Sequence, residues 1–164
     1  MPWRYLIALG SNMRHHRHGR PDQVLAAAVR ALGKAGISVL AVSPTLHSAP
    51  LGPSKRRYAN GAALIETVLD PDELLGLLKQ TERAFGRTRG GQRWASRVLD
   101  LDLVLWSGGA WSSPGLTVPH PAFRERDFVL TPLVNLTPRW RDPLTGLSLR
   151  QLRTRLTRPR PIPR

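Results

Sequence analysis

Arg97-Val98-Leu99-Asp100-Leu101-Asp102-Leu103-Val104-Leu105 alternates apolar and acidic side chains at a period of two. That period marks a strand with one face on a core, and the spacing predicts it over Val98–Trp106. Leu99, Leu101, Leu103 and Leu105 fall on one face and suit the core, while Asp100 and Asp102 fall on the other, about 7 Å apart along the strand. Two carboxylates so close repel each other and lose hydration, which drives one toward protonation unless cations compensate. Mg²⁺ is the natural compensation, because it takes carboxylate oxygens and keeps its other positions for water and phosphate. An Asp-x-Asp pair also fits an edge strand facing water, or one that pairs with neighbouring Arg.

Immediately upstream, Arg87, Arg89, Arg93 and Arg97 fall within eleven residues, with Trp94 among them. Guanidinium groups bind phosphate bidentately and stay charged. Beside two carboxylates they suit a polyphosphate held by metals, where Arg and metal together neutralise the transferring group. A solvated basic loop that grips RNA is the plainer alternative, and Trp94 could stack on a base in either case.

Working outward, Trp3–Leu9 reads as a strand ended by Gly10-Ser11-Asn12, and Arg14–Arg20 as a loop. Pro21 opens a helix that carries Val24, Ala28, Val29 and Leu32 and stops at Gly36. Ile37, Val39 and Ala41 alternate as a strand, His47–Arg57 is a loop, and Ala62–Thr67 is another strand. Asp70, Pro71 and Glu73 form a capping box for a helix striped by Leu74, Leu75, Leu78 and Phe85 and ended by Gly86. Ser107-Gly108-Gly109 turns the chain. Leu116–Val118 is a short strand, Phe123–Leu133 a short helix broken at Pro132, and Leu149, Leu152 and Leu156 a last helical turn or two. Strand, helix, strand, strand, helix, strand is the split βαβ order, an antiparallel sheet with helices packed on it.

The 164 residues fit one domain, here 1–157, followed by a basic Pro/Arg tail, 158–164. No Cys is present, which excludes disulfides, thiolate metal sites and a cysteine nucleophile. The net charge of +14 points to anionic partners, or to a codon usage that favours Arg, since only Lys34, Lys55 and Lys79 among the 25 cations are Lys. No apolar run approaches the length of a membrane span, and Tyr5–Leu9 is too short for a secretion signal. A cytoplasmic protein without a membrane partner is expected.

Two further stretches suit a pocket. Ser48-Ala49-Pro50-Leu51-Gly52-Pro53 leads to Tyr58-Ala59-Asn60, whose amide can read a heterocycle edge. Pro119-His120-Pro121 leads to Arg126 and Phe128, a titratable ring, a cation and a stacking face. Singly, a lone His is usually a satisfied polar group and a lone Phe is usually core.

Taken together, the chain resembles the 6-hydroxymethyl-7,8-dihydropterin pyrophosphokinases of folate biosynthesis. The likeness runs from Ala8-Leu9-Gly10-Ser11-Asn12 through Pro50-Leu51-Gly52-Pro53, Tyr58-Ala59-Asn60, Glu82 and Gly86-Arg87-Thr88-Arg89. It continues through Arg93-Trp94, Arg97 to Asp102, Val118-Pro119-His120-Pro121 and Arg126 to Leu130. The resemblance implies a ferredoxin-like α/β/α sandwich of the α+β class with a mostly antiparallel sheet. It implies transfer of diphosphate from ATP to 6-hydroxymethyl-7,8-dihydropterin, giving AMP and the pterin diphosphate. By that likeness Asp100 and Asp102 would hold two Mg²⁺. Arg87 and Arg97 would contact the triphosphate, and Arg89 would lie on a catalytic loop. Glu82, His120 and Arg126 would place ATP. Ser48, Pro50, Leu51, Tyr58, Asn60, Trp94 and Phe128 would bind the pterin. A monomer with small-molecule substrates and no obligatory nucleic acid is expected. The alternatives are a ferredoxin-like nucleic-acid-binding module, and a paralogue that acts on a related pterin or has lost catalysis.

Overall fold

The computed structural model describes residues 1–48, 58–86 and 98–163. β1 (Trp3–Ser11) pairs antiparallel with β4 (Tyr58–Thr67) on one side and with β5 (Asp100–Trp106) on the other. β2 (Ser38–Val42) and β3 (Leu46–Ser48) both pair with the far side of β4. The order β2-β4-β1-β5 is wholly antiparallel and leaves β5 at an edge. β6 (Trp111–Ser113) and β7 (Leu116–Val118) form a separate hairpin.

α1 (Pro21–Lys34) and α2 (Pro71–Ala84) cover one face of the sheet, and α3 (Asp127–Leu136) and α4 (Leu149–Thr157) cover the other. Alternation along β1 divides the core. Tyr5, Ile7 and Leu9 join Val24, Leu25, Leu32, Leu74 and Leu78 on the first face, while Leu6 and Ala8 join Leu130, Leu133, Leu149 and Leu152 on the second. Each fully buried Leu contributes about 1.5–3 kcal/mol. The split βαβ order and the α/β/α layering expected from the sequence are both present.

The α2 start is as read: Asp70 accepts from the Glu73 amide at 2.9 Å, and Glu73 accepts from the Asp70 amide at 3.1 Å. Other boundaries shift. β1 runs on through Gly10 and Ser11 instead of turning there. His47 and Ser48, expected in a loop, lie in β3, which is held by its pairing with Tyr58 and Ala59. Pro132 does not break the helix. A 3-10 turn at Phe123–Glu125 precedes α3, which runs through Pro132 to Leu136. Proline removes one amide donor, but Leu130 and Leu133 on the same short helix are fully buried against the sheet and hold it.

The face expected for Leu105 is also corrected. Leu6 pairs with Leu105 and Ile7 with Leu103, so Val104 is an extra residue in a β-bulge. Upstream of the bulge Leu99, Leu101 and Leu103 face α1 and α2; downstream, Leu105 joins Val104 in the core under α3 and α4.

Candidate active site

In an antiparallel ladder, residues directly opposite each other point to the same face. Asp102 pairs with Ala8 and Asp100 with Gly10, and on its other side Gly10 pairs with Asn60. Ala8 belongs to the α3–α4 face, so Asp100, Gly10 and Asn60 form a row across three strands on that face. Tyr58 lies two residues before Asn60 and shares its side. The two carboxylates therefore do share a face, as the alternation predicts.

Gly10 is the gap in this row. Its backbone is ordinary extended strand, so it is not required for a left-handed turn. A Cβ there would lie 3.4 Å from Asn60 Oδ1 and 3.9 Å from the Cβ of Asp100. The missing side chain lets the Asn60 amide and Asp100 lie close over β1 on either side of Gly10.

Along the open edge of β5 runs a cavity of about 440 Å³. β5 gives its floor with Leu101, Asp102 and Leu103, and α2 gives one wall with Leu75, Lys79 and Glu82. The β6–β7 hairpin gives the other wall with Ser113, Gly115, Leu116 and Thr117, and His120 and Pro121 close one end. Glu82 is buried, and Asp102 is exposed at the rim. The cavity thus joins three of the residues singled out in the sequence: Glu82, Asp102 and His120.

His120 is held from two sides. Its amide donates to the Val104 carbonyl at 3.0 Å, and its Nδ1 accepts from the Ala122 amide at 3.2 Å. Burial pushes its pKa below the ordinary histidine value; nearby Asp102 opposes that shift and Arg126 adds to it. The ring is then neutral near pH 7, with its proton on Nε2. Arg126 stands with its guanidinium carbon 6.0 Å from the centroid of the Phe128 ring, at the start of α3. Neither lines the cavity; Arg126 is close enough to His120 to act on its charge, and α3, whose first turn carries Phe128, packs on β4.

Arg87, Arg89, Trp94, Arg97, Pro50 and Leu51 lie outside the described residues, as does the side chain of Ser48. Leu75, Lys79, Ser113 and Thr117 line the cavity and were not singled out from the sequence. Lys79 had a usable signal, since it precedes Glu82 by three residues on one helix and so shares its face.

Asp100 and Asp102 are hard oxygen donors on an open edge. No group of three or more His, Cys, Asp or Glu forms a closed metal cage among the described residues. Two carboxylates without further protein ligands suit Mg²⁺, which retains water and takes phosphate oxygens from its substrate.

Among the described residues, helices pack on both faces of this sheet, unlike the open aromatic-bearing face that sheet readers of RNA use. A covered antiparallel sheet, with paired acids on its edge strand beside a cavity, defines an α+β protein with a candidate site for phosphate chemistry. Residues 6–138 match the family model described as 7,8-dihydro-6-hydroxymethylpterin-pyrophosphokinase (HPPK). The chain belongs to that family. It is 39% identical over 142 residues to the 2-amino-4-hydroxy-6-hydroxymethyldihydropteridine pyrophosphokinase of Pseudomonas aeruginosa, covering 85% of this chain and 84% of that one. It is 40% identical over 118 residues to the protein of that name from Synechocystis, covering 72% of this chain and 60% of the relative. The fold is also that of a crystal structure of Plasmodium falciparum HPPK-DHPS, with a TM-score of 0.74 at 11% identity. That match covers 94% of this chain and 41% of the Plasmodium one.

Proposed function

We propose that this chain transfers diphosphate from ATP to 6-hydroxymethyl-7,8-dihydropterin, releasing AMP, with Mg²⁺ held by Asp100 and Asp102. The row of Asn60, Gly10 and Asp100 on one face carries this reading, because it sets an amide able to read a heterocycle beside a carboxylate suited to metal, with no side chain of Gly10 between them. The family match supports the same activity.

In this reading the nucleotide occupies the cavity between α2 and the hairpin, where Glu82 and His120 orient it. Its outer phosphates then lie at the Asp102 rim. The pterin lies toward Tyr58 and Asn60, with Phe128 and Trp94 as stacking faces and Ser48, Pro50 and Leu51 along its edge. Bound Mg²⁺, as two ions, supplies charge neutralisation for the phosphates. The chain's own work is alignment: Asp100 and Asp102 fix the phosphates against the hydroxymethyl oxygen. Arg87, Arg89, Arg97 and Arg126 add fixed positive charge where negative charge accumulates. Residues 1–157 act as one catalytic domain, monomeric and cytoplasmic, with 158–164 as an accessory tail.

Incubating the purified chain with ATP, Mg²⁺ and the dihydropterin alcohol tests this. AMP and pterin diphosphate should appear together, and Asp102→Ala should abolish both while circular dichroism stays unchanged. No AMP from the unaltered protein, or an Asp102→Ala variant within a few-fold of it, sinks the reading.

A further inference from the structure

The cavity has one wall that belongs to neither the main sheet nor a helix. The β6–β7 hairpin is a two-stranded unit outside the five-stranded ladder. Its inward side is anchored in the core: Val118 at the root and Leu116 beside the turn are buried, and the Trp111 ring, opposite Val118, stands edge-on to Trp106 at 5.5 Å. Its tip, Pro114-Gly115, is exposed. Between root and tip, Ser113 Oγ donates to Asp72 Oδ1 at 2.6 Å and accepts from Trp111 Nε1 at 3.2 Å. Asp72 lies in the first turn of α2, the helix that forms the opposite wall. One hydroxyl therefore joins the half-buried Trp111 to the facing wall, and Ser113 itself lines the cavity.

We propose that Ser113 and Asp72 are positioning residues, a latch that fixes the hairpin against α2 and sets the width of the nucleotide cavity. This rests on the assignment of that cavity to ATP. Leu75 and Lys79 stand about one and two turns along α2 from Asp72, and Gly115 and Thr117 stand just past Ser113. A nucleotide held between these walls feels their separation directly. With the latch open, β7 stays anchored through Leu116, but β6 and the exposed Pro114-Gly115 turn lose their tie to α2 and the two walls grip the ligand less closely. Asp100 and Asp102 lie on β5, outside the hairpin, so the reacting groups stay in place. The latch therefore acts on binding and not on the chemical step.

Steady-state kinetics on the full chain, with AMP as readout, test this against Ser113→Ala, Ser113→Thr, Asp72→Ala and the Ser113→Ala/Asp72→Ala pair. The expected result is a KM for ATP raised about three- to ten-fold in Ser113→Ala, the range of one lost hydrogen bond. The turnover number and the KM for the pterin should be unchanged. Ser113→Thr, which keeps the hydroxyl, should return toward the parent. The pair should be no worse than the more affected single variant, because both remove one interaction. An unchanged KM for ATP in Ser113→Ala, or a fall in turnover instead, overturns the latch. Strictly additive effects in the pair overturn it too. Absence of AMP from the unaltered chain is a different outcome: it overturns the assignment of the cavity, and the latch falls with it.

Discussion

Asp100 on β5 stands in register with Gly10 on β1, and a methyl group on Gly10 would come 3.9 Å from its Cβ. That contact is of ordinary van der Waals length, and the closer one, 3.4 Å to Asn60 Oδ1, is met by a small shift of the Asn60 amide, so Gly10→Ala is accommodated by the fold. Alanine in a strand is also favoured over glycine by about 0.5–1 kcal/mol. The expected outcome is unchanged or slightly raised thermal stability with turnover reduced about ten-fold or more, because a near-attack geometry tolerates little misplacement. Calorimetry beside a single-turnover AMP assay checks it. Full activity in a stably folded Gly10→Ala would mean that the gap is not where the substrates meet.

Asp102→Asn keeps size at an exposed rim position but replaces the charge and one acceptor oxygen by a neutral donor. Turnover is expected to fall by about 100-fold or more, since a neutral amide is a poor ligand for Mg²⁺. The melting temperature should hold. Raising Mg²⁺ should restore part of the loss in this variant, read as a shifted metal dependence.

The bulge at Val104 gives a third expectation. The Val104 carbonyl accepts from the His120 amide at 3.0 Å, so the extra residue in β5 turns a backbone acceptor toward the cavity end. Deleting Val104 makes the β1–β5 ladder regular and keeps Leu103 and Leu105 on their present faces. It removes the acceptor that holds His120. A folded protein with weakened ATP affinity is expected, measured by titration with a non-hydrolysable ATP analogue. Unchanged affinity would separate the bulge from the site.

A fourth prediction concerns stability. Asp142 is fully buried and accepts from Arg124 Nε at 2.6 Å and Nη2 at 2.7 Å, with Thr145 and the Leu144 amide also donating. Burial alone would raise its pKa, but these hydrogen bonds outweigh burial and hold it below the ordinary Asp value. A carboxyl depressed in the folded state adds stability above its unfolded pKa of about 4 and loses it as pH falls through the folded pKa. Arg124→Leu is expected to cost about 3–5 kcal/mol at pH 7, because it strands a buried charge. Urea unfolding should show the gap between variant and parent narrowing steadily below about pH 4. A pH-independent gap would contradict the ion pair.

The helices were legible where a terminus carries its own chemistry. Asp70-Pro71-Asp72-Glu73 states the start of α2, and Pro21 states the start of α1, because caps act through residues close in sequence. β3 and β6 were not seen, since three residues are too few for a period and both exist by virtue of a partner strand. The bulge was invisible for a related reason. Leu103-Val104-Leu105 is apolar throughout, and only pairing with Leu6 and Ile7 reveals the change of face. In the site, Asp100 and Asp102 stood out because acids are foreign to an apolar strand. Ser113 and Thr117 did not, because nothing local to the hairpin says which helix it faces.

The place of β5 at the end of the sheet has another consequence. An edge strand offers unpaired backbone to any second copy, and proteins guard such strands with charge. Asp100 and Asp102 occupy that position, so the carboxylates assigned to metal also make edge-to-edge stacking of two molecules mutually repulsive. Under the proposed metal role, protection against edge pairing and phosphate chemistry draw on the same two side chains, and neutralising the pair is expected to weaken both.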